Sequence, residues 1–127
     1  MQFSAALVST LLLASNAAAQ LGINCRGSGL CTGGNVASGL RDLIRGSTDT
    51  DRTYKNGENI ACLGNTCAFL QNAPNGAKIA LIQQLAQAIV EHGCKNCGSA
   101  PFKNNNVNTG ELTFNFVSHP GCTNRLC

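Results

Sequence analysis

The sequence predicts an α+β fold in which two helices pack on one face of an antiparallel sheet and disulfide bonds hold the layers together. Two segments of the 127-residue chain have apolar residues at helical spacing, and a third alternates apolar and polar residues like a half-buried strand. Two apolar helix stripes and one apolar sheet face are buried most simply against each other. Eight cysteines would supply the covalent framework.

The first 19 residues are predicted to be a cleavable signal peptide. This segment has no charged side chain, contains the apolar run Ala5 to Ala14, and ends with Ala17 and Ala19 at the spacing of a signal-peptidase site. A membrane anchor needs roughly 20 continuous apolar residues, and serine, threonine and asparagine side chains interrupt this run. We therefore expect a secreted, extracellular protein without stable membrane insertion, whose single domain spans residues 20–127.

All eight cysteines lie in this domain: Cys25, Cys31, Cys62, Cys67, Cys94, Cys97, Cys122 and Cys127. An even number in a short, exported chain predicts disulfides, each contributing about 2–4 kcal/mol to stability. Cys94 and Cys97 form a C-x-x-C motif, which also suits a redox site or half of a zinc site completed by Cys62 and Cys67. Disulfides are preferred because the motif follows a helix and zinc-binding cysteines belong mainly to reducing compartments. No cofactor or metal is expected.

In the first half of the domain, the sequence predicts one short strand, Leu21 to Cys25, and one helix. Asn35 is the expected N-cap of that helix and Gly46 the expected stop. Residues 46–59 are polar, with a strong turn signal at Asn56-Gly57. The apolar residues of the helix lie at helical spacing: Val36, Leu40, Leu43 and Ile44.

In the second half, Ile60 to Leu63 and Thr66 to Gln71 are predicted to form a hairpin through Gly64-Asn65. The second helix is predicted from Ala77 to His92, because its apolar residues form one face without a helix breaker. A half-buried strand is predicted from Gly110 to Ser118. One face of this strand carries its large apolar residues: Leu112, Phe114 and Phe116.

The net charge of +3 does not predict a nucleic-acid partner. The nine basic residues are scattered, and the chain has one tyrosine and no tryptophan, whereas nucleic-acid binders combine a basic stripe with stacking aromatics.

His92 and His119, with Glu58 and an arginine, would supply the acid–base set of a small secreted ribonuclease. The helix end favours a cation at His92, and His119 lies near the C-terminal tail. The preferred prediction is therefore not an enzyme, with the ribonuclease as an alternative.

Three blocks of the domain match a known pattern: Leu21 to Ser28, His92 to Ser99, and Gly110 to Val117. They resemble, in order, the mature N-terminus, the H-G-C-x-x-C-G-S block and the final strand of a fungal killer-toxin family, whose type member is smut killer protein four. Gly33-Gly34-Asn35 resembles the family's helix start. The blocks span the whole mature chain.

The resemblance implies a compact two-layer α/β sandwich, an antiparallel sheet with two antiparallel helices on one face. It implies that Cys62 pairs with a C-terminal cysteine, either as Cys62–Cys127 with Cys67–Cys122 or as the crossed alternative. It also implies a toxin that acts without catalysis and stops the growth of susceptible fungi by impairing calcium uptake. Two further disulfides are implied between the N-terminal segment and the end of the long helix: Cys25–Cys94 and Cys31–Cys97.

The implied partner is a calcium channel or another cell-surface protein of a target fungus or host, contacted by a monomer. The family's activity-linked lysine lies just before the cysteine that matches Cys62. Here that stretch, Gly57 to Ala61, has no positive charge, and Lys55 is the nearest lysine. The alternative is a secreted effector or cell-wall-associated binding module with the same fold and no channel activity. The candidate contact residues are basic and expected to be exposed: Lys55, Arg52, Arg41, Arg45 and Lys95.

Overall fold

The computed structural model describes residues 22–127, so the predicted signal peptide lies outside the described residues. The described chain has two α-helices, one 3-10 helix (Val107–Thr109) and seven strands. The helices are α1 (Val36–Arg45) and α2 (Ile79–Glu91), and the strands are β1 (Thr53–Tyr54), β2 (Ala61–Leu63), β3 (Thr66–Gln71), β4 (Ala77–Lys78), β5 (Gly98–Pro101), β6 (Glu111–Phe116) and β7 (Arg125–Leu126).

Five strands form one antiparallel sheet in the order β5-β6-β3-β2-β7. The predicted hairpin is confirmed, since β2 and β3 pair Leu63 with Thr66 across the two-residue turn Gly64-Asn65. The turn suits glycine because Gly64 has a φ of +57°, in the left-handed region. β1 and β4 form a separate two-stranded antiparallel sheet.

The helices run antiparallel and pack on the sheet. The backbone N–H of Ala37, at the start of α1, donates to the Lys95 carbonyl beyond the end of α2. At the opposite end, Gln83 Nε2 donates to the carbonyls of Ile44 and Ser47. The predicted α+β architecture is therefore confirmed. Neither helix of residues 22–127 is long and apolar enough to cross a membrane.

The main core lies between the helices and one face of the five-stranded sheet. Successive strand side chains point to opposite faces, so Leu70 of β3 and Phe114 of β6 face the helices and are fully buried. Leu40 of α1 and Ile82 and Ile89 of α2 complete this cluster with no exposed surface. The side chains that alternate with them in β3 and β6 lie on the opposite face.

Several predicted boundaries are wrong. Ala77 and Lys78 do not begin the second helix but form β4, because they pair with Tyr54 and Thr53 in a segment predicted only as polar. The predicted strand Leu21 to Cys25 contains, in its described part, one isolated bridge from Asn24 to Ser99. Short strands of this kind depend on partners far along the chain. β5 and β7 were not predicted for the same reason.

Asn35 occupies the predicted N-cap position of α1, but its side chain makes no capping hydrogen bond. Its backbone carbonyl instead accepts from Ser38 Oγ and from the N–H of Gly39. The position was predicted correctly, whereas the chemistry expected of its side chain was not.

Four disulfides occur, and two of them join the N-terminal segment to the end of α2. These are Cys25–Cys94 and Cys31–Cys97, the pairs that the family resemblance implies. The implied pairing of Cys62 with a C-terminal cysteine differs from the structure, which joins Cys62 to Cys67 and Cys122 to Cys127. The hairpin register explains the correction, because Cys62 and Cys67 lie directly opposite each other with Cα atoms 4.1 Å apart.

Candidate functional site

Residues 52–58 form a turn that includes β1 and presents two of the five predicted contact residues, Arg52 and Lys55. We call it the basic turn. Its base is rigid, because Tyr54 is fully buried and β1 pairs with β4. Beyond the strand the chain folds back on itself: the N–H of Glu58 donates to the Lys55 carbonyl, and Glu58 Oε1 accepts from the N–H of Lys55 at 2.9 Å.

Arg52 is held against the base of this turn rather than projecting freely. Its guanidinium carbon lies 4.2 Å from the centre of the Tyr54 ring, a cation–π contact. Arg52 Nη2 also donates to the Cys127 carbonyl at 3.4 Å and lies 4.0 Å from Glu58 Oε2. Arg52 therefore ties the turn to the C-terminus, and Glu58 offsets part of its charge.

Lys55 is exposed, and its amine makes no hydrogen bond or ion pair with residues 22–127. Lys78 of β4 lies in register with Thr53, so a second exposed lysine stands beside the turn. The sequence analysis missed Lys78, because only the pairing of β1 with β4 brings it there. Asp49 and Asp51 in the same loop are also exposed. The surface is thus of mixed charge, and Lys55 is a single exposed cation rather than part of a broad basic patch.

Tyr54 contributes a buried hydroxyl that has no hydrogen-bond partner within the described part of the chain. Burial raises the pKa of the Tyr54 phenol, because it disfavours the charged phenolate; the Arg52 charge opposes this shift, and the charges of Glu58 and Asp49 add to it. The phenol therefore keeps its proton in the folded protein at a pH where an unfolded tyrosine, with a pKa of about 10, is losing it.

We expect the stability of the protein to fall as the pH rises above about 10, because the unfolded chain then binds fewer protons than the folded chain. The contribution of Tyr54 is complete below that pH and is lost as the pH approaches the raised pKa. Urea unfolding of the wild type and Tyr54→Phe at neutral and alkaline pH measures it. The variant should show a smaller alkaline loss and, at neutral pH, equal stability or a gain of about 1 kcal/mol. An identical alkaline loss in both proteins would contradict this assignment.

Arg41 and Arg45 lie on α1 and face α2. Their guanidinium groups both donate to Gln87 Oε1, from Arg41 Nη1 at 3.3 Å and from Arg45 Nη2 at 2.6 Å. Arg41 also forms an ion pair of 2.8 Å with Asp42. These two arginines brace one helix against the other.

Lys95 is exposed at the start of α1, where its carbonyl accepts from the N–H of Ala37. Its contacts place it apart from both arginine groups. The structure therefore distributes the five predicted contact residues over three places: Arg52 with Lys55, Arg41 with Arg45, and Lys95 alone.

The two histidines of the ribonuclease alternative are both exposed, His92 at the end of α2 and His119 in the C-terminal segment. Glu58, the proposed third member, contacts Lys55 and Arg52 instead. Among the residues that the structure describes, neither imidazole makes a hydrogen bond or ion pair with Glu58. The geometry therefore gives the ribonuclease no assembled acid–base set.

The sulfur atoms of Cys62, Cys122 and Cys127 lie within 4.8 Å of one another. Each of these sulfurs is bonded in a disulfide. None of them is therefore a thiolate, the form of cysteine that binds zinc. Neither bond joins the C-terminal segment to the hairpin; that segment is held by the pairing of β7 with β2 and by backbone hydrogen bonds from the Asn124 and Cys127 N–H groups to the Cys62 and Ile60 carbonyls.

Comparison with known proteins places these features in a family. A family model described as Kp4 matches residues 7–118. The chain is also 37% identical over 105 residues to a protein named KP4 killer toxin, from Ustilago maydis P4 virus. That match covers 77% of this chain and 81% of the relative.

Proposed function

Because the chain belongs to the Kp4 family, we propose that it is a secreted killer-toxin-like protein that inhibits competing fungi, or affects a host, by interfering with calcium channels without catalysis. In this proposal residues 1–19 are removed on export and residues 20–127 form the toxin domain. The name of its viral relative supports the toxin activity, and the basic turn supports the contact with a channel.

The proposed mechanism rests on the exposed amine of Lys55. Its amine is exposed and unpaired within residues 22–127, on a turn whose base is fixed by buried Tyr54 and by Arg52. Binding to an anionic channel mouth would therefore order only one flexible side chain, which keeps the entropic cost small. A single cation that meets a complementary charge adds both affinity and orientation.

We expect Lys55→Gln to raise the protein concentration needed for half-maximal growth inhibition about tenfold, which corresponds to about 1.4 kcal/mol. The purified, oxidised protein is applied to fungal hyphae with and without added calcium at millimolar concentration. Calcium should relieve inhibition by the wild type, because it competes for the same anionic sites. The thermal midpoint of the variant should be unchanged, since Lys55 contributes only backbone bonds to the fold.

Lys103→Gln is the matched control, because Lys103 is an exposed lysine in the loop between β5 and β6, away from the basic turn. It should retain wild-type potency. Equal loss in both variants would show a general effect of charge, and unchanged potency of Lys55→Gln would remove Lys55 from the site. Inhibition that is indifferent to calcium would leave a toxin without the channel mechanism. Absence of inhibition would favour the effector or wall-binding alternative.

A further inference from the structure

A groove of 480 Å³ lies on the face of the five-stranded sheet opposite the helices. Phe69 and Gln71 open onto it, and they alternate along β3 with Ala68 and Leu70, which belong to the buried core. The volume falls within the range of about 300–1,000 Å³ that is typical of small-ligand sites. We call this site the amide groove. Its lining includes four amide and two apolar side chains: Asn56, Asn59, Gln71, Asn72, Phe69 and Val117.

We propose that the amide groove binds a short, neutral oligosaccharide. No ionisable side chain lines it among the described residues, and the neighbouring Glu111 carboxylate already accepts hydrogen bonds from Asn72 and Thr113, so a charged ligand would find no free counter-charge there. A sugar instead presents many hydroxyl groups, each able to donate and accept a hydrogen bond, together with apolar C–H faces. This inference is independent of the channel mechanism proposed above.

Two of the amides are fixed through their oxygen and present hydrogen-bond donors. Asn56 Oδ1 accepts from the N–H of Ala73 at 3.0 Å, and Gln71 Oε1 accepts from Thr113 Oγ1 at 2.8 Å. Within residues 22–127 the amide nitrogens of Asn56 and Gln71 make no hydrogen bond. Each NH₂ group therefore keeps its donors for a ligand.

The other two amides are fixed through their nitrogen and present acceptors. Asn59 Nδ2 donates to the Pro120 carbonyl at 2.7 Å. Asn72 Nδ2 donates to Glu111 Oε2 at 3.1 Å and to the Val107 carbonyl at 3.3 Å. The side-chain oxygens of Asn59 and Asn72 have no partner in the described chain. The groove thus offers two held donors and two held acceptors, a pattern that matches sugar hydroxyls.

The fixed amides reduce the cost of binding. An amide that is already hydrogen-bonded to the protein at one end loses little rotamer freedom when a ligand bonds to the other end. The backbone beneath them is also fixed, because Asn56 forms a bridge with Leu70 and the N–H of Gly57 donates to the Leu70 carbonyl at 2.9 Å. Phe69 is half-buried, and its ring supplies the apolar surface, with a negatively polarised face, that the C–H groups of a pyranose contact.

A peptide is the less suitable occupant. Peptides bind to sheets mainly by adding a strand at an exposed edge, whereas the groove lies over β3, the central strand of the order β5-β6-β3-β2-β7. Side-chain amides of both polarities on a sheet face suit a ligand that carries hydroxyl groups on all its sides.

The test is calorimetric titration of the oxidised protein with neutral hexasaccharides, namely β-1,3-glucan, β-1,4-glucan, mannan and β-1,4-linked N-acetylglucosamine. At least one should bind saturably with a dissociation constant of about 1 mM or lower. An oligogalacturonate of equal length, which carries carboxylates, should bind more weakly. NMR shifts on titration should map to Phe69, Gln71 and Val117.

Asn56→Asp is the sharpest variant, because it keeps the acceptor for the Ala73 N–H and replaces the free NH₂ donor with a negatively charged oxygen that can only accept. It should weaken binding about tenfold with an unchanged thermal midpoint. Asn75→Asp is the control, since Asn75 is exposed outside the groove and undergoes the same chemical change. Phe69→Ala should also weaken binding, and Lys55→Gln should leave it unchanged.

Three results would overturn the inference. They are no binding by any neutral oligosaccharide at about ten times the expected dissociation constant, equal or tighter binding of the acidic oligomer, and binding of a capped hexapeptide instead of the sugars. Because the readout is binding and not growth, failure of this inference is distinguishable from failure of the toxin mechanism.

Discussion

Removal of both disulfides that fasten the N-terminal segment to α2 is expected to unfold the protein. The fourfold variant Cys25→Ala, Cys31→Ala, Cys94→Ala and Cys97→Ala reopens loops whose ends are 69 and 66 residues apart in sequence. Loop-closure entropy assigns about 7 kcal/mol to the two bonds together, of which about 4 kcal/mol belongs to closing the first long loop. Domains of this size have about 5–15 kcal/mol of stability in total.

Variants that lack only one of the two disulfides test whether loop-closure entropy causes the loss of stability, because the two bonds close almost the same loop. If only Cys25–Cys94 is removed, Cys31–Cys97 still holds the chain, and only a small loop of roughly ten residues is released, at a cost of about 3 kcal/mol. The fourfold loss should therefore exceed the sum of the two pairwise losses. Circular dichroism without denaturant shows whether the fourfold variant is folded, and denaturant unfolding of the two single-bond variants and the wild type gives the pairwise losses.

Cys122→Ala with Cys127→Ala is the control for this series, since that bond spans a sequence separation of 5 and should cost about 2 kcal/mol. Equal losses for this pair and for the fourfold variant would contradict the loop-closure account. A folded, cooperative fourfold variant would show that the core alone holds the domain.

Phe114→Ala is expected to be the most damaging single core substitution, with a loss of about 3–5 kcal/mol. Phe114 is fully buried between the sheet and the helices, and its removal leaves a cavity that the surrounding side chains fill only in part. The free energy of unfolding from urea titration gives the loss. The variant should still bind any groove ligand under native conditions, because Phe114 faces the helices and not the amide groove.

Phe116→Ala is the matched control, two residues along the same strand. Phe116 is only half-buried, so its loss should cost clearly less, on the order of 1–2 kcal/mol. Equal losses at the two positions would mean that the end of β6 is buried more deeply than the structure shows.

The burial of these two phenylalanines is only partly predictable from the sequence. The alternation in Gly110 to Ser118 predicts a strand and places Leu112, Phe114 and Phe116 on one face, and β6 confirms the strand and the burial of Leu112 and Phe114. The alternating pattern does not predict how far along the strand the helices cover the sheet, so the lower burial of Phe116 was not predictable. Thr113, expected on the outer face, is also buried, because β5 brings Ser99 within 3.0 Å of its hydroxyl.

In the candidate sites, too, some features are predictable from the sequence and others only from the tertiary structure. Lys55 and Arg52 were singled out from charge and family resemblance, but charge alone does not distinguish an amine that is free from a guanidinium that is held by Tyr54 and Cys127. Lys78 was missed because its neighbour, Thr53, lies 25 positions earlier in the sequence. The amide groove combines residues from three separated segments, and no local sequence pattern in any of them predicts the groove.

The sequence by itself determined the α+β class, the two helices, the central hairpin, the disulfide-rich chemistry and the family. Each of these depends on residue spacing or residue type, which are local properties of the chain. Apolar spacing determines which faces are buried, and the cysteines determine that disulfides form. Only the tertiary structure decided the pairing of β1 with β4, the partners of Cys62 and Cys127, and the meeting of four amides on the open sheet face. Those features depend on contacts between segments far apart in the chain, and such contacts are selected by the packing of the whole core.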